Sequence, residues 1–318
     1  MKRNFRIFSV LLACMLLSVQ ATQAQTPAEW AGWERSFNLI LANDLGRNGY
    51  YDQRPVAETM AALAEAIDVE CVVAPGDVHH FEGVRSVDDP LWMTNYELIY
   101  SHPDLMIPWY AGLGNHEYRS NTQACLDYTQ RSARWNMPAH YYTLRLTADD
   151  GTSLRLVMLD TTPLIDKYRN SDKYPDARLL DRDRQLAWLD SVLTVSTEDW
   201  VLVAGHHPIY ADTSKDTEER TDMQHYLLPV LQRHADKVDM YLCGHIHNFQ
   251  HIRPEGDAID YVVNTSASLA REKVAPVPGT RFAKGVSGFS LIAADRHNLT
   301  LYMLDKDGKA LHTVERTR

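Results

Sequence analysis

The segment Met240-Tyr241-Leu242-Cys243-Gly244-His245-Ile246-His247 joins a short apolar run to two closely spaced histidines. Its first four residues have the length and composition of a buried β-strand. The glycine permits a tight turn, and the histidines follow where the strand would end. In α/β proteins, functional groups gather at the carboxyl ends of the strands. We therefore predict that His245 and His247 lie in a site at one edge of a sheet.

Four further apolar runs end in the same way, each in a polar loop that carries a potential metal ligand. The runs and the residues that follow them are 39–42 with Asp44, 71–74 with Asp77, 109–113 with Asn115, and 201–204 with His206. The block Gly114-Asn115-His116-Glu117 is especially specific, because three consecutive polar side chains directly after a strand have little structural use. The occurrence of all these groups in this order predicts that they converge in one two-metal hydrolytic centre.

The ligand types indicate which metals would bind. Carboxylate and amide oxygens together with imidazole nitrogens, without thiolate, suit Fe, Zn or Mn. Asp77 follows a glycine at a strand end, so its two oxygens can bridge two cations. Metals roughly 3.5–4 Å apart would clamp a phosphoryl group, provide hydroxide near neutral pH and neutralise phosphate oxygens. His116 directly follows Asn115, a suitable position for contacting a phosphate oxygen or protonating the leaving group.

Residues 1–24 have the pattern of a secretory signal peptide, which leaves 25–318 as a single domain. Three basic residues precede an apolar run, and small residues end at Ala24. Export to the periplasm or the medium is therefore expected, with a lipoprotein attached through Cys14 as the alternative. The apolar run of about 13 residues is short for a bilayer span. No later stretch is long and apolar enough, so we expect no transmembrane anchor.

Composition limits the partners. The formal net charge is −10 for the whole chain and −13 without the basic leader. An acidic surface disfavours nonspecific binding of nucleic acid. It does not disfavour a small phosphorylated substrate, because bound metals would dominate the local field. Cys71, Cys125 and Cys243 follow the leader, and their odd number predicts no disulfide framework.

Strand-like runs alternate with amphipathic stretches, which predicts an α/β protein with stacked mixed sheets flanked by helices. Helices are predicted at 54–67, 121–134, 181–195 and 223–234, with Pro229 as a place where the last one kinks. Additional strands are predicted at 142–147, 153–159, 250–252, 260–263, 289–292 and 299–302. The segment 267–288 is rich in proline and glycine, so it is predicted to be a loop near the site.

At these motifs the chain resembles the metallophosphoesterase superfamily, most closely the small single-domain purple acid phosphatases of the tartrate-resistant type. Further matching segments are Phe81-Glu82-Gly83-Val84, Arg134-Trp135-Asn136-Met137-Pro138 and Asn248 after the paired histidines. The resemblance runs through most of residues 25–318. It implies the calcineurin-like fold, an α/β four-layer αββα sandwich of two mixed sheets flanked by helices.

The resemblance also implies roles for individual residues. It assigns a first metal to Asp44, Asp77 and His247, and a second metal to Asp77, Asn115, His206 and His245. His116 matches the active-site histidine that follows the asparagine ligand in that family. His225 matches a second histidine on the substrate side, within a loop whose sequence differs.

One ligand position departs from the purple enzymes, which carry Gly-Asp-x-x-Tyr with a tyrosine that binds ferric iron and gives the colour. Here the block reads Gly76-Asp77-Val78-His79-His80. We predict that His80 replaces the phenolate, with His79 as the rival ligand. A neutral imidazole stabilises Fe(III) less than a phenolate does. We therefore expect a colourless enzyme with two divalent metals, Fe(II), Zn or Mn.

Together these features predict an exported bimetallic phosphatase that hydrolyses phosphate monoesters by attack of a metal-activated hydroxide. A phosphodiesterase, or a nucleotide or pyrophosphate hydrolase using the same site, is the alternative. A catalytically silent phosphate- or glycan-binding protein on the same fold would require lost ligands. Since the six matching ligands are all present, that third interpretation is disfavoured.

Overall fold

The computed structural model describes residues 30–211, 213 and 217–318. The predicted signal peptide and Cys14 lie outside the described residues. The strands are β1 Phe37–Leu41, β2 Cys71–Pro75, β3 Trp109–Gly112, β4 Trp135–Asn136, β5 Tyr142–Thr147, β6 Ser153–Met158, β7 Trp200–Ala204, β8 Met240–Cys243, β9 Phe249–Ile252, β10 Asp260–Val263, β11 Thr280–Lys284, β12 Gly288–Ala294, β13 Asn298–Asp305 and β14 Ala310–Thr317. The α-helices are α1 Gln53–Ala66, α2 Thr122–Asp127, α3 Asp166–Arg169, α4 Arg182–Val195, α5 Thr217–Tyr226 and α6 Leu228–Arg233.

The strands form two seven-stranded sheets, ordered β14-β13-β12-β1-β2-β3-β4 and β11-β9-β10-β8-β7-β6-β5. In the first sheet β1 to β4 run parallel, and β12 to β14 add antiparallel strands. In the second sheet β6, β7, β8 and β10 run parallel, with antiparallel β5, β9 and β11 outside them. The predicted class, α/β with two mixed sheets flanked by helices, is confirmed.

Burial along the strands explains why the ligand-bearing runs are continuously apolar. Every residue of β1, β2, β7 and β8 is buried. Strands covered on both faces lack the alternation of a half-exposed strand. Strand β13, near the edge of its sheet, does alternate between buried and half-buried residues. The buried apolar side chains of both sheets form one cluster, so the core fixes the sheets relative to each other.

Two of the predicted helices agree with the structure to within one residue, and two differ. Helices α1 and α4 match, and Asp181 caps α4 by accepting a hydrogen bond from the backbone N–H of Arg184 at 3.0 Å. Helix α2 ends at Asp127, and a 3-10 turn follows. The longer prediction was wrong because the carbonyl of Arg134 must accept a hydrogen bond from Trp109 to align β4 with β3.

The predicted helix 223–234 is two helices. Helix α5 begins upstream at Thr217, and Pro229 lies in the first turn of α6. Proline is tolerated there because the first backbone N–H groups of a helix have no intrahelical acceptor. In the described part of the chain, no helix combines the length and the hydropathy required to cross a membrane.

The structure contains three strands that the sequence pattern did not predict, the two-residue β4 and the edge strands β11 and β14. Strand β11, Thr280–Lys284, lies inside the segment 267–288 that was predicted to be a loop, so the prediction was wrong there. It is an edge strand with no fully buried residue, and it therefore lacks an apolar alternation. Strand β14 is likewise an edge strand, with one buried residue, Val314.

The loops after the ligand-bearing strands contact one another at one end of the sandwich. The backbone N–H groups of Asp44 and Leu45 donate to the carbonyls of Gly76 and Asp77, at 3.2 and 3.0 Å. A Cβ at Gly46 would lie 2.1 Å from the carbonyl oxygen of Val78, so this approach requires glycine. In the second sheet, Gly244 N–H donates to His206 at 3.0 Å. The predicted meeting of strand ends is therefore observed.

Candidate metal centre

Four of the candidate ligand residues have a left-handed backbone conformation. The φ angles are 53° at Asp44, 53° at Asp77, 70° at His245 and 62° at His247. This conformation is uncommon outside glycine and disfavoured for most side chains, and residues held in it concentrate at functional sites. Here it turns each side chain off the end of its strand. The local strain is therefore associated with bringing the ligands together.

The side chains meet in four overlapping groups whose potential ligand atoms lie within 4.8 Å of one another. The groups are Asp44 with His80 and His247; Asp77 with His80 and His116; Asp44 with Asp77 and His206; and His206 with His207 and His245. Because the groups share members, they form one continuous centre between the two sheets. Of the predicted ligands, only Asn115, an amide rather than a titratable group, is absent from these groups.

The first half of the centre contains Asp44, His247 and His80. His247 Nε2 lies 3.0 Å from Asp44 Oδ1, and its Nδ1 donates to the carbonyl of Leu269 at 2.6 Å. That carbonyl fixes the ring so that Nε2 faces the carboxylate. His80 Nε2 lies 3.4 Å from Asp77 Oδ2 and 3.9 Å from Asp44 Oδ1. Both nitrogens of His80 are buried and without a hydrogen-bond partner among the described residues.

The second half contains Asp77, His206, His245 and Asn115. His206 Nε2 lies 3.2 Å from Asp77 Oδ2 and 3.2 Å from His245 Nδ1, while His206 Nδ1 donates to the carbonyl of Pro75. Asp77 Oδ2 thus faces both His80 and His206, as a bridging oxygen would. Asn115 is buried, and its Oδ1 has no hydrogen-bond partner among the described residues.

His79 and His80 point in opposite directions. His79 packs against the aromatic core, with its ring 4.4 Å from that of Trp92 in an edge-to-face arrangement. His80 faces His116 and His247, at ring distances of 4.1 and 5.5 Å. Of the two rival residues, the structure brings His80 to the carboxylates. The His79 side chain has no place in the four ligand groups.

The electrostatics of the centre are those of a cation site. Burial opposes ionisation of Asp77, but His206 and His116 nevertheless hold the pKa of its carboxyl well below the ordinary value. Burial alone would lower the pKa of His206. The facing carboxylate of Asp77 has the larger effect and raises this pKa to about 10. Among the described residues, the proton favoured on His206 offsets part of the negative charge of the carboxylates. Metal ions can take over that role.

Glu117 holds the two loops of the first sheet in place. Its Oε2 accepts from the backbone N–H groups of Asp77 and Gly114 at 3.0 and 2.8 Å, and its Oε1 accepts from that of His79 at 3.0 Å. Burial, together with the charge of Asp77, raises the pKa of this carboxyl to about 7. The sequence pattern marked the block but not this role, which depends on the loops being adjacent.

His116 lies at the mouth of the centre, next to the first group. Its side chain is 14% exposed, and Nε2 lies 3.7 Å from Asp77 Oδ2. Nδ1 lies 2.6 Å from the carbonyl of Phe81, so Nδ1 carries a proton and a neutral ring leaves Nε2 as an acceptor. Burial lowers the pKa of the imidazole to about 3. The predicted contact with substrate agrees with this position and stays a prediction.

His225 is not brought to the centre. It is exposed near the end of α5, and its ring contacts Tyr226 at 4.6 Å. It belongs to none of the four ligand groups. A helix of mostly polar residues offers no periodic signal that distinguishes an inward from an outward histidine, so its match to a substrate-side histidine rested on sequence similarity alone. Its catalytic role stays a prediction without support from this geometry.

Helix α5 instead contributes Glu219, which the sequence analysis did not select. This carboxylate is 2% exposed and lies directly behind a candidate ligand. Its Oε2 accepts from His245 Nε2 at 2.9 Å, and its Oε1 accepts from Lys167 Nζ at 2.9 Å and from the Tyr168 hydroxyl at 2.5 Å. Such carboxylate–histidine pairs orient metal-binding imidazoles. Glu219 thereby directs His245 Nδ1 towards His206.

Comparison with known proteins agrees with this geometry. The family model described as calcineurin-like phosphoesterase matches residues 37–249. Purple acid phosphatase 4 of Arabidopsis thaliana is 31% identical, over 97% of this chain and 93% of its own length. Tartrate-resistant acid phosphatase type 5 of Sus scrofa is 29% identical, over 82% of this chain and 80% of its own.

Among solved structures, the fold is similar to GAP50, described as the anchor in the inner membrane complex of Plasmodium. The TM-score is 0.76 at 22% identity, with 88% of each chain covered. This similarity concerns the fold alone.

Proposed function

Because the chain belongs to the calcineurin-like phosphoesterase family, we propose that it is an exported two-metal phosphatase that hydrolyses phosphate monoesters. The match over residues 37–249 and the purple acid phosphatase relatives make it a metal-dependent phosphoric ester hydrolase. The preference for monoesters and the export are the parts that we infer. Export is supported by the leader-like pattern of residues 1–24.

The observation that carries the proposal is a set of buried polar atoms without partners, converging between the two sheets. Asp44 Oδ1, both nitrogens of His80 and Asn115 Oδ1 are buried and make no hydrogen bond to the described residues. A buried polar atom without a partner is destabilising by about 1–3 kcal/mol. Metal ions would satisfy all of these atoms at once, and the oxygen and imidazole donors suit Fe, Zn or Mn.

The residues then divide by position. Asp44, His80 and His247 would hold one cation, Asn115, His206 and His245 the other, and Asp77 would bridge them. Bound cations would lower the pKa of water and neutralise phosphate oxygens. His116 lies beside this centre and is accessible, so it can contact the phosphate ester from the open side. Glu219 orients His245, while the carbonyls of Leu269 and Pro75 orient His247 and His206.

The variant Asn115→Ala tests the proposal. It removes one neutral ligand without adding charge, so the fold should persist while turnover of p-nitrophenyl phosphate falls at least about 100-fold. Asn170→Ala, at an exposed asparagine after α3, is the matched control and should retain full activity. Unchanged activity of Asn115→Ala in metal-loaded protein would refute the site assignment.

The assignment of His80 has its own test. His80→Ala should lower the metal content from two ions to one per chain, because it removes a ring that faces both carboxylates. His79→Ala, one residue away and packed on Trp92, should keep both ions. Elemental analysis of the two purified variants distinguishes them. A loss of metal from the His79 variant alone would reverse the assignment.

Two alternative functions, a phosphodiesterase and a non-catalytic binding protein, can be distinguished by the substrates that the protein hydrolyses. A phosphodiesterase would hydrolyse bis(p-nitrophenyl) phosphate faster than the monoester, and that outcome would overturn the monoesterase proposal. The similarity to a protein described as an anchor raises a non-catalytic binding role as the second alternative. Metal-loaded protein that binds inorganic phosphate but hydrolyses neither ester, nor a nucleotide or pyrophosphate, would favour that role.

A further inference from the structure

Arg47 is a buried cation beside the metal centre that the proposed chemistry does not use. Its side chain follows Asp44 by three residues, on the loop that contacts the Asp77 loop. The residue is 7% exposed, and its Nε and Nη1 are buried without a hydrogen-bond partner among the described residues. A buried guanidinium without a partner is costly. We therefore expect that a bound ligand interacts with this guanidinium.

The position of the guanidinium is fixed by an aromatic ring. Arg47 Cζ lies 4.6 Å from the centre of the Phe81 ring, a cation–π contact. The same ring lies 6.2 Å from His80 and 6.3 Å from His116. Phe81 is 60% exposed, so it forms part of the rim. Arg47 therefore lies at the side of the opening through which a substrate must reach the centre.

Charge counting indicates an anionic ligand for Arg47 rather than a structural partner. Burial lowers the pKa of its guanidinium, whereas Asp44 and Asp77 raise it, which places the group in their field. Those two carboxylates are the acidic groups in the ligand clusters. Two divalent cations would more than neutralise them, so a loaded centre repels rather than satisfies the guanidinium. Exposed Arg271 adds a second positive charge that acts on Arg47.

We propose that Arg47 binds a second anionic group of the substrate, adjacent to the phosphoryl group that is transferred. The favoured substrate class is then a compound with two neighbouring phosphates, such as a diphosphate ester or inorganic pyrophosphate. A guanidinium offers several parallel N–H donors to phosphate oxygens, and Nε and Nη1 of Arg47 have no hydrogen-bond partner among the described residues. This inference rests on the proposed two-metal phosphatase centre, and it adds neighbouring diphosphates, which the sequence analysis gave as alternative substrates of the same site, to the monoesters.

Binding to the metal-loaded protein is measured by calorimetry with two non-hydrolysable probes, methylenediphosphonate and methylphosphonate. Arg47→Met removes the charge but keeps most of the apolar stem. We expect a 10- to 100-fold weaker affinity for methylenediphosphonate, with methylphosphonate affected less than about threefold. Arg54→Met, which removes an exposed charge from α1, is the control and should change neither affinity.

Hydrolysis gives a second readout. The ratio of kcat/KM for pyrophosphate to kcat/KM for p-nitrophenyl phosphate should fall at least about tenfold in Arg47→Met. Equal losses for both probes and both substrates, or no loss, would overturn the role of Arg47. Arg47→Lys keeps the charge without the fork and should show an intermediate loss; it replaces the Met variant if that fails to fold. If the wild-type protein hydrolyses neither substrate, the phosphatase proposal is refuted. The affinities for methylenediphosphonate and methylphosphonate would still test the role of Arg47.

Discussion

Glu219→Gln is the most informative single substitution, because it keeps the shape of the side chain and removes its charge. The carboxylate accepts three hydrogen bonds, from His245 Nε2, Lys167 Nζ and the Tyr168 hydroxyl. Burial opposes its ionisation, but the facing His245 and its hydrogen bonds hold the pKa of Glu219 well below the ordinary value. At neutral pH the wild-type group is therefore ionised and acceptor-only.

The expected magnitude follows from those three contacts. A glutamine oxygen can still accept from His245, but its amide N–H group would then face the Lys167 ammonium, which cannot accept a hydrogen bond. The Tyr168 hydroxyl can turn to accept, and the half-buried lysine can turn towards solvent. His245 thus keeps a weaker, uncharged partner. Loss of such a partner typically reduces metal affinity 10- to 100-fold, or about 1.4–2.7 kcal/mol.

The assay is a competition between the protein and a chelator of known affinity, read out as metal retained per chain. Activity at saturating metal is measured in parallel, where Glu219→Gln should recover most of the wild-type rate because the ligands themselves are intact. Glu218→Gln is the matched control, since its exposed neighbour on the same helix undergoes the same charge change. Metal affinity that is equal in the two variants would refute the orienting role of Glu219.

Three further predictions concern metals and pH. Chelation should lower the Tm by several degrees, because buried Asp44 and Asp77 lose their cations. At a free metal concentration of 100 times the dissociation constant, binding stabilises the folded state by about 2.7 kcal/mol. An unchanged Tm would argue against a contribution of the metals to stability. Burial raises the pKa of Glu70 from 4.5 to about 7, so the folded state binds this proton more tightly and stability is lost as pH rises between those values. The free energy of unfolding in urea should therefore be about 1–2 kcal/mol higher for Glu70→Gln than for wild type at pH 8, after allowance for solvent screening of this partly exposed group. At pH 4 the two proteins should be equally stable. Iron-loaded His80→Tyr should gain a visible absorption band that wild type lacks, and absence of the band would count against His80 as the position equivalent to the tyrosine.

The strands that carry the site were predictable because their burial is local information. Strands β1, β2, β7 and β8 are covered on both faces, so each appears in the sequence as an unbroken apolar run with a polar end. The residues of the edge strands β11 and β14 are mostly half-buried, without the alternation of buried and exposed positions that would distinguish them from loops. Their pairing is determined by neighbours that are distant in sequence.

The same distinction applies to the site. Asp77 and His245 follow their strands directly, so their convergence follows from the topology. Glu219 and Arg47 are single charged residues in polar surroundings, and ordinary sequence reasoning takes such residues to be solvated. Only packing shows that both are more than nine-tenths buried and adjacent to the ligands. The role predicted for His225 stays untested for the same reason, since one helical position decides whether a side chain faces the centre or solvent.

The replacement of tyrosine that we propose for His80 would affect the charge of the whole centre. A phenolate ligand carries one negative charge, and a neutral imidazole carries none. Replacing a ferric by a divalent ion removes one positive charge. The two changes cancel, so a centre with His80 and two divalent ions presents the same net charge to phosphate as one with tyrosine and a ferric ion. Under this proposal, His80 would change the metal and the colour without weakening the attraction for an anionic substrate, and the buried guanidinium of Arg47 would add to that attraction.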